Sequence, residues 1–214
     1  MLCLAFFISC SSKKTNVVDS ESSIRPFTGV LKPSTYVEYD NIDNPNEMHV
    51  ILDQQRMLLN KTGQLFNPAG ALIADFNLKG DIQLIFIWKD GPTLSVVTEL
   101  NDGKKNWSEV QKYNLNDKRV EWNTRFGSFN LGVPIVVDSM MYLSTNGTLA
   151  KLNLETGAFV WKIDTLSNGS KYNGFEEPKF INSENILFAS KIPFVDLVDT
   201  IIINEVNGSI VRKD

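Results

Sequence analysis

Ala-Lys-Leu-Asn-Leu-Glu-Thr-Gly-Ala-Phe-Val-Trp, residues 150 to 161, is the stretch of sequence that decides the fold of this chain. It predicts a β-strand, a tight turn at Thr156-Gly157 and a second strand that ends at Trp161. Glycine is suited to such a turn because it adopts positive φ at no steric cost. The hairpin recurs along the chain, and a recurring hairpin with an aromatic end is typical of a β-propeller blade.

Three further segments repeat this hairpin. Residues 114–122 lie 39 positions upstream of 153–161 without a gap and also end in Trp. Residues 204–212 keep the Asn and the turn Gly but end in Arg212, and residues 59–66 keep the Thr-Gly pair. Four turns predict about four blades. The residues that define the repeats are Thr62, Gly63, Trp122, Thr156, Gly157, Trp161 and Gly208.

The segments around the turns have the composition of short strands. Residues 133–137 and 140–144 are rich in β-branched and apolar residues, and Asn146-Gly147 predicts a two-residue hairpin. No segment has an apolar repeat of helical period and length, so we expect an all-β fold of four-stranded antiparallel blades. The other predicted strands are 36–39, 48–52, 81–88, 93–100, 110–115, 178–181, 185–190, 200–206 and 209–212, with a polar loop at 101–109.

The pattern Leu152-Asn153 followed by Thr156-Gly157 and Trp161, approached by residues 133–138, resembles the repeat of the pyrroloquinoline-quinone-like, or quinoprotein-type, β-propellers. In that superfamily an acidic or amide residue precedes the Thr-Gly turn, and the Trp packs between adjacent blades. The resemblance implies that Trp122 and Trp161 are packing residues. It bears on the fold more than on the function.

The length of the chain predicts an incomplete ring. Propellers that resemble this family usually close with seven or eight blades, whereas 214 residues hold about four at the observed spacing. We expect half a propeller, which would be a truncated gene product, a fragment, or an arc completed by self-association. A small closed ring of four blades is the alternative.

The amino terminus resembles a bacterial lipoprotein signal. Residues 1–9 are apolar and too short to span a bilayer, and Cys10 follows directly. The resemblance implies cleavage before Cys10 and lipidation of that residue. Phe7 and the lack of a basic residue before the apolar run depart from the pattern, and a terminus tucked into a core is the alternative. Residues 10–25 then form a flexible tether, and residues 26–214 form the propeller domain.

Composition and charge exclude some classes of partner. A formal net charge of −4 and a pI near 5.1 argue against a nucleic-acid partner. The two cysteines, Cys3 and Cys10, leave the predicted domain without a disulfide. The frequent asparagines indicate an AT-rich genome of the kind common among Bacteroidota.

The search for catalytic residues gives no candidate. The single His, His49, lies on a predicted strand and is more typical of a surface residue than of a base. The carboxylates at 176–177, 196 and 199 lie in predicted loops, where solvation explains them. We therefore expect no enzyme activity, no cofactor and no metal. A quinoprotein dehydrogenase is the enzyme alternative, but the adjacent cysteine pair common in those enzymes is missing.

The sequence predicts a lipid-anchored binding module for a protein partner in the cell envelope. Its nearest analogue is the propeller lipoprotein of the outer-membrane β-barrel assembly machinery, which is a scaffold. A surface lipoprotein that binds glycans or nutrients is the alternative. Lys13-Lys14, close behind Cys10, favour the periplasmic face of the outer membrane. The candidate contact residues, which could also be loop anchors, are Phe126, Phe129, Tyr172, Phe175 and Phe194.

Overall fold

The computed structural model describes residues 37–38, 47–166, 174–190 and 199–213, and all regular structure in these ranges is β-strand. The strands form four antiparallel sheets that follow one another along the chain. The predicted all-β fold of successive antiparallel blades is confirmed. Residues 1–25, with the signal segment, Cys10 and the tether, lie outside the described residues.

The first two sheets occupy residues 37 to 127. The first sheet has five strands: β1 Val37–Glu38, β2 Glu47–Leu52, β3 Gln55–Asn60, β4 Gln64–Phe66 and β5 Leu72–Asp75. The second has four longer strands: β6 Asp81–Asp90, β7 Thr93–Asn101, β8 Asn106–Asn114 and β9 Arg119–Gly127. Each strand pairs with its neighbours in sequence, which is the topology of propeller blades.

The third and fourth sheets have four strands each. The third contains β10 Ile135–Val137, β11 Met140–Thr145, β12 Thr148–Asn153 and β13 Phe159–Ile163. The fourth contains β14 Lys179–Phe180, β15 Asn185–Ala189, β16 Thr200–Asn204 and β17 Ile210–Lys213. Both agree closely with the predicted strands, because short β-rich runs here alternate with clear turn residues.

The predicted loop at 101–109 is wrong for most of its length. β7 and β8 stay paired as far as Asn101 opposite Asn106, so the connection is only 102–105. Trp107 and Glu109 are 5% and 7% exposed. The Trp107 indole N–H and the Gln111 amide both donate to the Glu109 carboxylate, at 3.1 Å each. These bonds explain why a run of polar residues forms a buried strand.

The first repeat lies one hairpin later than predicted. In the other three sheets the strand register shifts just before the turn Asn, as between Lys151 and Leu152. The first sheet has that shift between Leu65 and Phe66, before Asn67, and none is recorded at the predicted turn 60–63. The sequence did not reveal this copy because Ala74 stands where the other sheets have Trp or Arg.

The apolar core lies between the sheets. We call the contacts between successive sheets the first, second and third junctions. Each junction has its own cluster of buried residues, represented by Leu59 and Leu94, by Val97 and Leu143, and by Leu149 and Phe188. None of these three clusters joins the first sheet to the fourth. The described residues thus form an arc of four blades, as predicted for a partial propeller.

Candidate functional site

The connection between β9 and β10, residues 128–134, is a loop that packs closely against the next sheet. Two glycines hold it against the third sheet. A Cβ added at Gly127 would overlap the side chain of Thr145, and one added at Gly132 would overlap the hydroxyl of Ser144. Only glycine permits such a close approach, so the backbone packs directly against β11 both at Gly127, just before the loop, and at Gly132, inside it.

Hydrogen bonds fix the loop between these two points. The Leu131 N–H donates to Glu99 Oε2 at 2.9 Å, and the Asn146 N–H donates to the Phe129 carbonyl at 2.9 Å. The Ser108 hydroxyl donates to the Ser128 carbonyl at 2.8 Å. The loop is therefore preorganised, and a partner would not have to supply the free energy of ordering it.

The loop displays an apolar surface beside a charged groove. Phe129 and Val133 are both 38% exposed. A groove that adjoins the loop at Ser128 has a volume of about 410 Å³, and Arg125, Thr148, Lys162 and Asp164 contribute to its lining. The Arg125 guanidinium lies 4.9 Å from the Trp107 ring centroid, and Lys162 and Asp164 are paired at 3.1 Å. An exposed aromatic with a charged rim is the chemistry of a protein-binding surface.

The structure separates the five predicted contact residues. Phe129 is the one that it places on an exposed surface. Phe126 and Phe175 are 2% and 4% exposed, so the prediction that they are available to a partner is wrong. Phe126 packs in the core of the second junction and Phe175 in that of the third. Tyr172 and Phe194 lie outside the described residues.

The threonines and glycines of the repeats lie in turns that asparagine side chains close. The Asn153 side-chain oxygen accepts from the N–H groups of Glu155 and Thr156 at 2.8 and 3.1 Å. Asn114 and Asn204 cap their turns in the same way. Asparagine side chains stabilise turns by such bonds. The Thr62 and Gly63 turn, between β3 and β4, has Asn60 in this role.

The tryptophans pack between sheets, in the role that the sequence predicts for them. A Cβ on Gly157 would come within 2.6 Å of the Trp122 ring, and one on Gly208 within 2.7 Å of Trp161. Both glycines have positive φ, 71° and 73°. Each Trp therefore covers the turn glycine of the next sheet, so one glycine serves both the turn and the close approach.

A polar cluster closes the third junction beside Trp161. The Glu205 carboxylate, directly after the turn Asn204, accepts hydrogen bonds from Lys151 Nζ and from the Tyr142 hydroxyl. The Trp161 indole N–H donates to the Glu205 carbonyl at 2.9 Å. Burial, then the hydrogen bond to Glu205 and its charge, raise the pKa of Tyr142 above its usual range. We call Tyr142, Lys151, Trp161 and Glu205 the Glu205 lock, which sequence reasoning missed.

The remaining chemistry of the described residues is sparse. His49 is half-buried on the first sheet, with Nδ1 3.3 Å from Nη2 of Arg56. In the part of the chain that the structure describes, no group of three or more His, Cys, Asp or Glu side chains could hold a metal ion. The same ranges contain no helix long and apolar enough to cross a membrane.

Comparison with known proteins gives a likeness of fold. No protein-family model and no curated protein matches the sequence. Among solved structures the chain is similar to BamB from Moraxella catarrhalis, with 14% identity, a TM-score of 0.40 and coverage of 77% of this chain and 62% of that one. It is also similar to quinohemoprotein alcohol dehydrogenase ADHIIG from Pseudomonas putida HK5, with 10% identity, a TM-score of 0.48 and coverage of 86% and 36%.

A third similar structure is the WD40 domain of SCAP from fission yeast, with 12% identity, a TM-score of 0.44 and coverage of 86% of this chain and 48% of that one. The chain spans less than two thirds of each of these three structures. At these identities the likeness concerns the fold alone. The class that the sheets and their junctions define is a β-propeller arc.

Proposed function

We propose that this chain is a non-catalytic binding module for a protein partner in the cell envelope, and that the 128–134 loop is its contact surface. The observation that carries the proposal is a rigidly held loop with an exposed aromatic residue, Phe129, at 38% exposure. Val133 is a second exposed apolar residue of the same loop, and Arg125 and Lys162 provide charge in the groove that adjoins it. Aromatic residues ringed by polar groups carry much of the binding free energy in protein interfaces.

We further propose that Cys10 anchors the module to the outer membrane, with residues 10–25 as a tether and the periplasmic face as its side. The apolar run before Cys10 and the polar composition after it support this proposal. Metabolic labelling with a radioactive fatty acid tests the anchor, because Cys10→Ser is expected to abolish labelling. Protease treatment of intact cells tests the side, because a periplasmic protein is expected to survive it.

Site-specific photo-crosslinking in the producing cells tests the contact surface. A photoreactive amino acid at position 129 is expected to give one discrete adduct with a second protein. Val160 is a matched control, since it is also apolar, is 46% exposed and lies on β13, outside both the loop and the lining of the groove. The crosslinker at position 160 is expected to give no such adduct.

A second variant separates contact from folding. Val133→Ser leaves the loop backbone bonds in place and is expected to weaken the adduct formed from position 129. Equal crosslinking from positions 129 and 160, or an adduct unaffected by Val133→Ser, would sink the proposal. Crosslinking to a glycan instead of a protein would favour the glycan-binding alternative.

A further inference from the structure

The second and third sheets carry matching rows of residues across their strands. In the third sheet, direct register partners give the row Ile135, Tyr142, Lys151, Trp161. In the second sheet, the same registers give the row Trp88, Ser95, Lys112, Trp122. Lys112 therefore stands at the position of Lys151, and Ser95 at that of Tyr142. Both rows face the turn of the next sheet.

The turns opposite the two rows differ at the residue that directly follows the turn asparagine. Glu205 follows Asn204 and supplies the carboxylate of the Glu205 lock, whereas Leu154 follows Asn153. The second junction thus has a lysine in the same place and a leucine at the position of Glu205, while Glu155 stands one residue further, at the position of Val206. Lys112 pairs with Glu121 on its own sheet, with 3.4 Å between Nζ and Oε2. A lysine ammonium group has three N–H donors, so this one contact leaves donors that a ligand can use.

In the second junction a cleft lies at the position that the Glu205 carboxylate occupies in the third. It has a volume of about 450 Å³, within the range of small-molecule sites, and both Lys112 and Leu154 line it. Ser95 leaves room that the larger Tyr142 fills in the third junction. Trp88, 5% exposed, supplies an aromatic wall. Two carboxylates, Asp90 and Glu155, also line the cleft.

We propose that this cleft binds a small organic monocarboxylate, whose carboxylate takes the place that Glu205 fills in the third junction. Lys112 Nζ and the Ser95 hydroxyl donate to it, as Lys151 and Tyr142 donate to Glu205. Its apolar stem lies against Leu154 and Trp88. The lining carries two lysines, Lys89 and Lys112, against the two carboxylates, so a second negative charge on the ligand is disfavoured and dicarboxylates bind less well. The site is separate from the 128–134 loop and does not depend on its function.

Propionate is the natural probe because it reproduces the side chain of glutamate. We expect a titration of the ¹⁵N-labelled full chain to shift the Trp88 indole and Ser95 amide signals, with a dissociation constant on the order of 1 mM. Propionamide has the same shape without the charge, and it is expected to bind at least about tenfold more weakly. Lys112→Met is expected to weaken propionate by a similar factor, and its spectrum reports whether it is folded.

Leu154→Glu is the decisive variant. It places the carboxylate of the third junction in the second, so the chain itself should occupy the site and propionate should no longer shift the two signals. Absence of propionate binding to the wild-type chain overturns the proposal. Equal binding of propionate and propionamide, or unchanged propionate binding by Leu154→Glu, also overturns it.

Discussion

The second and third junctions have the same framework and different closures. In both, a Trp covers the turn glycine of the next sheet and a lysine lies beside it on the same cross-strand row. The third junction is closed by Glu205, while the second has Leu154 and a cleft. The comparison teaches that the repeat specifies how blades stack, and that the closure of a junction depends on the residues of the cross-strand row together with the residue after the turn asparagine.

The first junction has a third kind of closure, made by apolar residues. The matching row of the first sheet is Met48, Leu59, Leu65 and Ala74, all buried and all apolar. A small residue, Ala74, stands at the Trp position, and Phe76 packs edge-on against Tyr113 with ring centroids 5.6 Å apart. Blade stacking therefore does not require the Trp, provided that another aromatic pair fills the space.

The largest expected effect concerns the turn glycines. Gly208→Ala is expected to destabilise the chain by about 3 kcal/mol, because the new Cβ meets Trp161 and the residue has positive φ. Gly70→Ala is the matched control, since Gly70 also has positive φ but nothing lies within 4 Å of its added Cβ. That variant is expected to lose only about 1 kcal/mol.

Urea unfolding measures both variants, with the change taken from the midpoint at an unchanged m-value. Similar losses of unfolding free energy in Gly70→Ala and Gly208→Ala would mean that the positive φ of the glycine alone explains the destabilisation. The inter-sheet contact of Trp161 with the turn would then contribute no constraint of its own.

A second effect separates the two tryptophans. The Trp161 indole N–H donates to the Glu205 carbonyl, whereas the Trp122 indole nitrogen is buried without a hydrogen-bond partner. Trp161→Phe is therefore expected to cost about 1 kcal/mol more than Trp122→Phe, because it alone removes a hydrogen bond. Equal midpoints for the two variants in urea would show that the junctions do not differ at this position.

The smallest effect is a gain in stability. Lys118 has φ 52° at the position that Gly157 and Gly208 occupy in the later turns. Lys118→Gly is expected to stabilise the chain by about 0.5 kcal/mol, because glycine adopts this conformation without strain. Lys61→Gly is the control, because Lys61 also lies in a turn but does not have positive φ. Its free energy of unfolding is expected to fall by a similar amount, as measured by thermal unfolding. A loss from both variants would contradict the strain at Lys118.

Local signals explain what the sequence could predict of the fold. The strands at 133–163 and 178–213 follow from turn residues and β-rich runs a few positions apart. The sequence predicts a loop at 101–109 because the segment is polar. Local sequence does not show that Trp107 and Gln111 donate hydrogen bonds to Glu109 inside one sheet, and these bonds allow the segment to form a strand. The sequence predicts the first repeat at 59–66, because the hairpin that the structure forms at Asn67 lacks both the Thr of the turn and the Trp of the following strand.

The candidate sites were harder to predict because their contacts are distant in sequence. Lys151 and Glu205 are 54 positions apart, and Tyr142 and Glu205 are 63 apart. Phe126 and Phe129 look alike in the sequence, yet one is buried in a junction and the other is exposed. Phe126 lies on β9 and packs in the second junction, whereas Phe129 lies in the loop that follows the strand.

Chemical rescue of Glu205→Ala tests most directly the claim that a carboxylate closes the third junction. The variant leaves Lys151 and Tyr142 without their acceptor, and we expect a loss of about 3 kcal/mol because the side chains of Lys151 and Glu205 are only 10% and 17% exposed. Propionate is expected to raise the thermal midpoint of the variant well beyond its effect on the wild-type chain, and propionamide is expected to leave it unchanged. Equal effects of propionate on the variant and the wild type, or of both compounds on the variant, would contradict the account.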